Sequence, residues 1–169
     1  GIGWIPYFLE RADFTAQHHI WTRMDFGSKK PSDVFREHFI CCFIDDAFGI
    51  KNYQDIGEDI ICYETDYPHS DCAWPNAPEV LWPTIEHLPE RVINKVTHEN
   101  MMREYGWDPI SILGRENCTV GGLRDQALHV DTTPVSYGGG DPTLVGTGPI
   151  TSGDVVKLFV DQLAGESTE

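Results

Sequence analysis

The sequence predicts an α/β fold built on a parallel sheet. Two short apolar runs, His38-Phe39-Ile40-Cys41-Cys42-Phe43-Ile44 and Asp59-Ile60-Ile61-Cys62-Tyr63-Glu64, each stop abruptly at acidic residues. Continuous apolarity ending in polar groups is the pattern of a parallel strand buried on both faces. Between them, residues 46–57 read as a weak helix closed by Gly57. Strand, helix and strand joined by short links form the repeating unit of parallel sheets.

The other elements follow in order. Trp4, Tyr7, Phe8, Arg11, Phe14, His18 and Trp21 recur at three- and four-residue steps, so residues 4–24 are expected to be helical, with Pro6 in the first turn. Ser32 is placed to cap a short turn over 33–36. Residues 67–89 form a long segment rich in Pro, Trp and His, set directly after a strand, where function tends to reside. Helices are expected over 79–87 and 89–105, the second closed by Gly106. Gly, Thr, Asp and Pro dominate 114–153, and 110–150 reads as an extended arm. Ser152 then caps a helix through Leu163 that carries Val155, Val156, Leu158 and Phe159. The domain division is 1–108 and 109–169.

Composition narrows the function classes. The chain has 169 residues, 27 acidic and 12 basic, for a formal charge of −15. Such a chain repels nucleic acid and anionic lipid, so neither is an expected partner. No apolar run approaches a membrane span. The five cysteines, Cys41, Cys42, Cys62, Cys72 and Cys118, form no CxxC and match no zinc-finger spacing. They read as buried, reduced thiols, which points to a cytoplasmic setting. Asn117-Cys118-Thr119 fits the glycosylation sequon by chance.

The string Glu64-Thr65-Asp66-Tyr67-Pro68-His69-Ser70-Asp71 carries the strongest chemical signal. A carboxylate at the carboxyl end of a buried strand can bind a metal or take a proton from a metal-bound water. His69, three residues on, can orient that carboxylate or contact substrate. The same residues also fit a blander role, Asp66 as a cap and His69 as a loop histidine with satisfied hydrogen bonds. Tyr67, Trp74 and Trp82 can wall an apolar pocket, or pack as core and rim.

Several segments, in order, resemble the carboxyl-terminal part of the amidohydrolase superfamily, in the branch related to aminocarboxymuconate-semialdehyde decarboxylase. They are Gly1-Ile2-Gly3-Trp4-Ile5-Pro6-Tyr7 with Arg11-Ala12-Asp13, then Pro31-Ser32-Asp33-Val34-Phe35, the Thr65–Asp71 string, and Asn94-Lys95-Val96 running into Glu99-Asn100 and Tyr105-Gly106. The resemblance covers residues 1 to about 108. It implies the last strands and helices of a (β/α)8 TIM barrel, followed by the extended arm and its terminal helix. It also implies one divalent metal, usually zinc, in a hydrolase or non-oxidative decarboxylase of a small carboxylated substrate. Asp66 becomes the strand-eight metal ligand and proton acceptor, and 38–44 becomes strand seven. The helix over 4–24 follows strand six. His69 joins Asp66 as a catalytic residue. Tyr67, Ser70 and Trp74 line the substrate pocket, and Asn100 falls on a position read as structural.

The family's first strand supplies a His-x-His or Glu-x-His metal pair, and a middle strand a further His; this chain carries neither. His18-His19 does not substitute, because adjacent helical side chains diverge by about 100°. The start at Gly1 rather than Met accords with a carboxyl-terminal piece of a larger enzyme. Its expected partners are a chain or segment carrying strands one to six, with the remaining metal ligands, and further copies of itself in a homo-oligomer. The competing expectation is a non-catalytic structural or assembly subunit whose arm straps onto a partner.

Overall fold

The computed structural model describes residues 1–69 and 71–132. Its sheet has two strands, β1 (Cys41–Phe43) and β2 (Ile61–Tyr63), paired in parallel with Cys41 opposite Ile61, Cys42 opposite Cys62 and Phe43 opposite Tyr63. The connection between them is helical, as the spacing of the two apolar runs predicts. It holds α3 (Ala47–Lys51) and α4 (Tyr53–Ile56), and ends at Gly57, whose φ of 120° suits glycine.

Ahead of the sheet lie α1 (Ile5–His18) and α2 (Pro31–His38). Helix α1 starts where Pro6 allows, but stops at His18 rather than 24. There the His18 ring stacks on Phe14 at 3.9 Å and His19 stacks on Trp21 at 4.4 Å. A 3-10 turn follows over Ile20–Thr22. Ser32 is not the cap of α2: it is the second residue of the helix, after Lys30 as the cap and Pro31, and is nearly buried. Its N–H and Oγ donate to the Asp13 carboxylate at 2.9 and 2.7 Å, which fastens α2 to α1.

After the sheet come α5 (Ala77–Ile85), α6 (Glu90–Asn94), a π-helical turn (Lys95–Glu99) and α7 (Asn100–Tyr105). Gly106 ends α7 at φ 60°, the left-handed position that favours glycine. The core gathers around the ladder: Ile2, Ile5, Phe43, Ile50, Ile56, Ile61, Ile85, Val92 and Val96 are all essentially buried.

Two polar side chains hold this core in register. Asn100 is fully buried, and its Nδ2 donates to the carbonyls of Glu58 and Ile61, each at 2.8 Å. Its Oδ1 accepts from Arg103 at 2.9 Å, and Arg103 also donates to the Asp59 carbonyl at 2.6 Å. Asp46 works at the opposite end of the ladder. Its Oδ1 accepts from Gly49 N–H at 2.7 Å and so caps α3, while Oδ2 accepts from Ile2 and Gly3 at 2.6 and 2.8 Å. Gly49 is required there, since a Cβ would lie 2.4 Å from Ile2 and 2.8 Å from the Asp46 carboxylate.

The barrel expectation is not borne out. Regular structure among the described residues is mostly helical. Its two strands have three residues each, and no remnant of a barrel wall is evident. Helix α2 runs through His38 and consumes the start of the first apolar run, so only Cys41–Phe43 pairs. A wall needs several tilted neighbouring strands, which two short ones do not make. Burial on both faces also fails for β1, where Cys41 and Cys42 are half-buried.

The extended arm expected over 110–150 is corrected where it is described, up to residue 132; residues 133–150 lie outside the described residues. Residues Pro109–Leu113 form α8, Arg115–Cys118 a 3-10 turn and Val120–Gln126 α9. Asp108 caps α8 by accepting from Ile110 and Ser111 at 3.0 and 3.1 Å, and Thr119 caps α9 through Gly122 N–H at 3.0 Å. These caps outweigh the glycine content that suggests an extended chain. The compact unit that holds the ladder spans Gly1–Thr132. The expected helix over 152–163 lies outside the described residues.

Burial opposes ionisation of Asp46, but the N–H groups of Gly49, Gly3 and Ile2 outweigh it and hold the carboxyl below its ordinary value of 3.8. The unfolded chain therefore takes up this proton first as pH falls, and the stabilisation present above that value is lost below it. Asp46→Asn keeps one acceptor oxygen and loses the other, which leaves backbone N–H groups of Gly49 or of Ile2 and Gly3 unmet, and is expected to cost about 1–2 kcal/mol at pH 7. The gap to the parent should shrink in acid. Urea unfolding at pH 7 and at about pH 3 checks this; an equal gap at both would contradict it.

Candidate functional site

Strand β2 hands directly into the loop that carries the sequence signal. Glu64 N–H still donates to Phe43 O at 3.0 Å, which closes the ladder. Two residues later Asp66 turns the chain, at φ 54°. That left-handed conformation is uncommon outside glycine, and Asp and Asn are the side chains that tolerate it best. A turn follows, with His69 N–H donating to Asp66 O at 2.7 Å.

This turn brings the two expected catalytic side chains together. His69 Nδ1 lies 2.9 Å from Asp66 Oδ2. Asp66 is 38% exposed at its side chain and His69 62%, so the pair faces solvent and its mutual attraction contributes little to stability. Among the described residues, the Asp66 oxygen not engaged by His69 has no partner, so it can take a proton or a cation.

Tyr67 and Trp74 also meet. Their ring centres are 5.4 Å apart with planes tilted by 50°, and both rings are well exposed. They form a surface pair on the same loop rather than the wall of an enclosed pocket. Trp82 lies on α5 and is half exposed. Ser70 lies outside the described residues.

A cleft of about 410 Å3 opens at the other end of the strands, beside Ile40 and Ile60, and is lined by Arg36, His38, Arg103 and Glu104 among others. Its cations are already committed. Arg36 donates to the carbonyls of Ile56 and Asp55 at 2.9 and 2.7 Å, and Arg103 to Asp59 O and Asn100. That end of the sheet is therefore built for packing.

Among the described residues, no group of three or more His, Cys, Asp or Glu side chains comes together to hold a metal ion. Asp66 and His69 offer two donors at most, whereas a zinc site takes three protein ligands and an open position. The described residues alone thus do not fit a metal centre. The cysteines do not add one. All five are free; Cys62 is fully buried, and the other four only partly so. Burial pushes the Cys62 thiol up to about 12, which keeps it an inert core group.

The acids that follow the strands are visible in the sequence, but the division of roles between them is not. Asp46 is structural, as the spacing Asp46-x-x-Gly49 signals once read as a helix cap. Asp66 is the acid left with an oxygen unpaired among the described residues. Among the described residues, no helix is long and apolar enough to cross a membrane.

The φ of Asp66 gives a direct test of the turn. Asp66→Asn should leave stability within about 0.5 kcal/mol, whereas Asp66→Ala should lose about 1 kcal/mol because alanine is strained in that conformation. Chemical denaturation of both variants checks the difference, and equal stabilities would contradict the turn geometry. Compared with known protein families and with curated proteins, the chain matches none.

Proposed function

We propose that this chain contributes the proton-accepting carboxylate of a metal-dependent hydrolase or non-oxidative decarboxylase of small carboxylated substrates. The observation that carries the reading is the Asp66–His69 pair, 2.9 Å apart after the carboxyl end of β2, with one Asp66 oxygen unpaired among the described residues. The motif resemblance of residues 65–71 supports it. The remaining metal ligands lie outside this chain, in a companion chain or segment. The setting is cytoplasmic, which the absence of any cysteine pairing supports.

The chemistry asked of the chain's own residues is limited. His69, in the tautomer with hydrogen on Nδ1, donates to Asp66 Oδ2 and fixes the carboxylate's rotation. Asp66 Oδ1 then accepts a proton. In hydrolysis the proton comes from the attacking water as its oxygen bonds to the scissile carbon, and Asp66 passes it to the leaving group as the scissile bond breaks. In decarboxylation Asp66, protonated from solvent water, gives that proton to the carbon that keeps the electron pair when its bond to the departing carbon dioxide breaks. Tyr67 and Trp74 lie beside the acid and offer flat apolar surfaces to the substrate's carbon frame.

A structural or assembly role is the second reading. It is favoured by the extent of uncovered aromatic surface, with Trp4, Tyr7, Trp21 and Phe39 all more than half exposed. Turnover separates the two readings. In the assembly purified from its native source, a panel of small cyclic and aromatic carboxylates should give metal-dependent product release. Asp66→Asn should lower kcat by about 100-fold or more, the scale of a lost general base. Full activity in that variant would remove Asp66 from the reaction, and no turnover by the parent assembly on any substrate would favour the assembly role.

A further inference from the structure

Asp66, Tyr67, His69 and Trp74 all lie on the loop over 64–76, between the last residue of β2 and the first of α5. The loop's own backbone bonds are short-range. His69 N–H donates to Asp66 O at 2.7 Å, Cys72 N–H to His69 O at 3.2 Å and Asn76 N–H to Ala73 O at 2.8 Å. Each joins residues one turn apart, so each shapes a turn without tying the loop to the sheet. A pair of side chains carried on such a loop is only as well placed as the contacts that fix the loop's two ends.

Tyr63 makes such a contact. It is the final residue of β2, opposite Phe43 in the ladder, and is half-buried. Its ring meets the Phe43 ring edge-on, with centres 5.8 Å apart and planes at 66°. Phe43 is buried in the core, so the Tyr63 ring is held from the sheet. From there its hydroxyl donates to Ala77 O at 3.4 Å. Ala77 is the first residue of α5 and is nearly buried. One hydroxyl thus joins the two residues that flank the loop, and the loop closes on itself as an Ω-loop does.

The surroundings of that hydroxyl agree with the role. Burial first, then the charges of Asp45 and Cys72, raise the phenol above its ordinary value of 10.0. It therefore keeps its proton at neutral pH, as donation to Ala77 requires. Asp45 follows β1 and Cys72 belongs to the loop, so the hydroxyl lies within electrostatic range of both the sheet's exit and the loop's middle. A separation of 3.4 Å is long for an O–H···O bond. Its leverage comes from its place, partly shielded from water at the point where the loop closes.

We propose that Tyr63 is a positioning residue for the Asp66–His69 pair: its ring, held by Phe43, and its hydroxyl, bonded to Ala77 O, close the 64–76 loop and set the geometry in which His69 Nδ1 meets Asp66 Oδ2. Tyr63 acts through the loop backbone rather than on a substrate. The bearing of this closure on turnover rests on the proton-accepting role given to Asp66; the closure itself does not.

Tyr63→Phe tests the proposal, because phenylalanine keeps the ring against Phe43 and removes only the hydroxyl. Two signals are read on the 169-residue chain, without substrate or metal. In backbone amide exchange, His69, Cys72 and Asn76 should exchange about threefold faster or more, while Cys41 and Glu64, which bond across the ladder, change by less than about twofold. In the ring-nitrogen chemical shifts of neutral His69, the parent should carry its hydrogen on Nδ1, and in Tyr63→Phe the share of that tautomer should fall by about half. An unchanged His69 tautomer would overturn the proposal, whatever the amides do. Equal acceleration in loop and ladder would overturn it too, by making Tyr63 a general packing residue. Neither signal needs turnover, so a failure of the reaction assigned to Asp66 would leave both intact.

Discussion

The described unit depends on a parallel ladder too short to hold itself together. Three residues on each side supply few hydrogen bonds, and a two-stranded pair is marginal in water without further packing. Asn100 removes this weakness. It is a buried amide whose donor group is satisfied by two main-chain carbonyls of the β2 segment and whose oxygen is satisfied by Arg103. Leaving such carbonyls unmet in a buried setting would cost more than the hydrogen bonds themselves contribute. The turns that lead into α7 are tied to the same segment by Lys95, which bridges Glu58 and Asp59, and by Arg91 of α6, which pairs with Glu58.

Placement of the candidate site follows from this anchoring. With β2 fixed by Asn100, the chain leaves the ladder at Glu64 in a set direction, and the left-handed turn at Asp66 folds His69 back onto the carboxylate. Asp46, one strand over, satisfies its own oxygens with backbone N–H groups and steadies the start of α1. Two acids at the same end of one small sheet thus divide into a structural clamp and a chemically open group. Their backbone partners, rather than their distance from the strand, make the distinction.

The local units were legible in the sequence because their signals are local. Apolar runs ending in acid marked both strands, Gly57 and Gly106 marked helix ends, and Asp66 with His69 read as one constellation. The barrel was not legible in these residues; it came from the resemblance. The described structure, mostly helical with one two-stranded sheet, does not bear it out. Cap chemistry accounts for the other departures. Lys30 and Pro31 start α2 before Ser32, and Asp108 and Thr119 build helices where glycine content suggested an extended chain. The role of Asn100 could be named as structural, but its partners are more than 35 residues away in sequence, and only the fold brings them into reach.

The central claim is that a single buried amide holds the ladder from which the candidate site projects. Native-state hydrogen exchange in Asn100→Ala tests it most directly, read at the Cys41 and Glu64 amides that bond across the strands. The account predicts that their protection falls by about tenfold or more, the equivalent of about 1.4 kcal/mol, while amides in the middle of α1 lose less. Unchanged protection at Cys41 and Glu64 would contradict it.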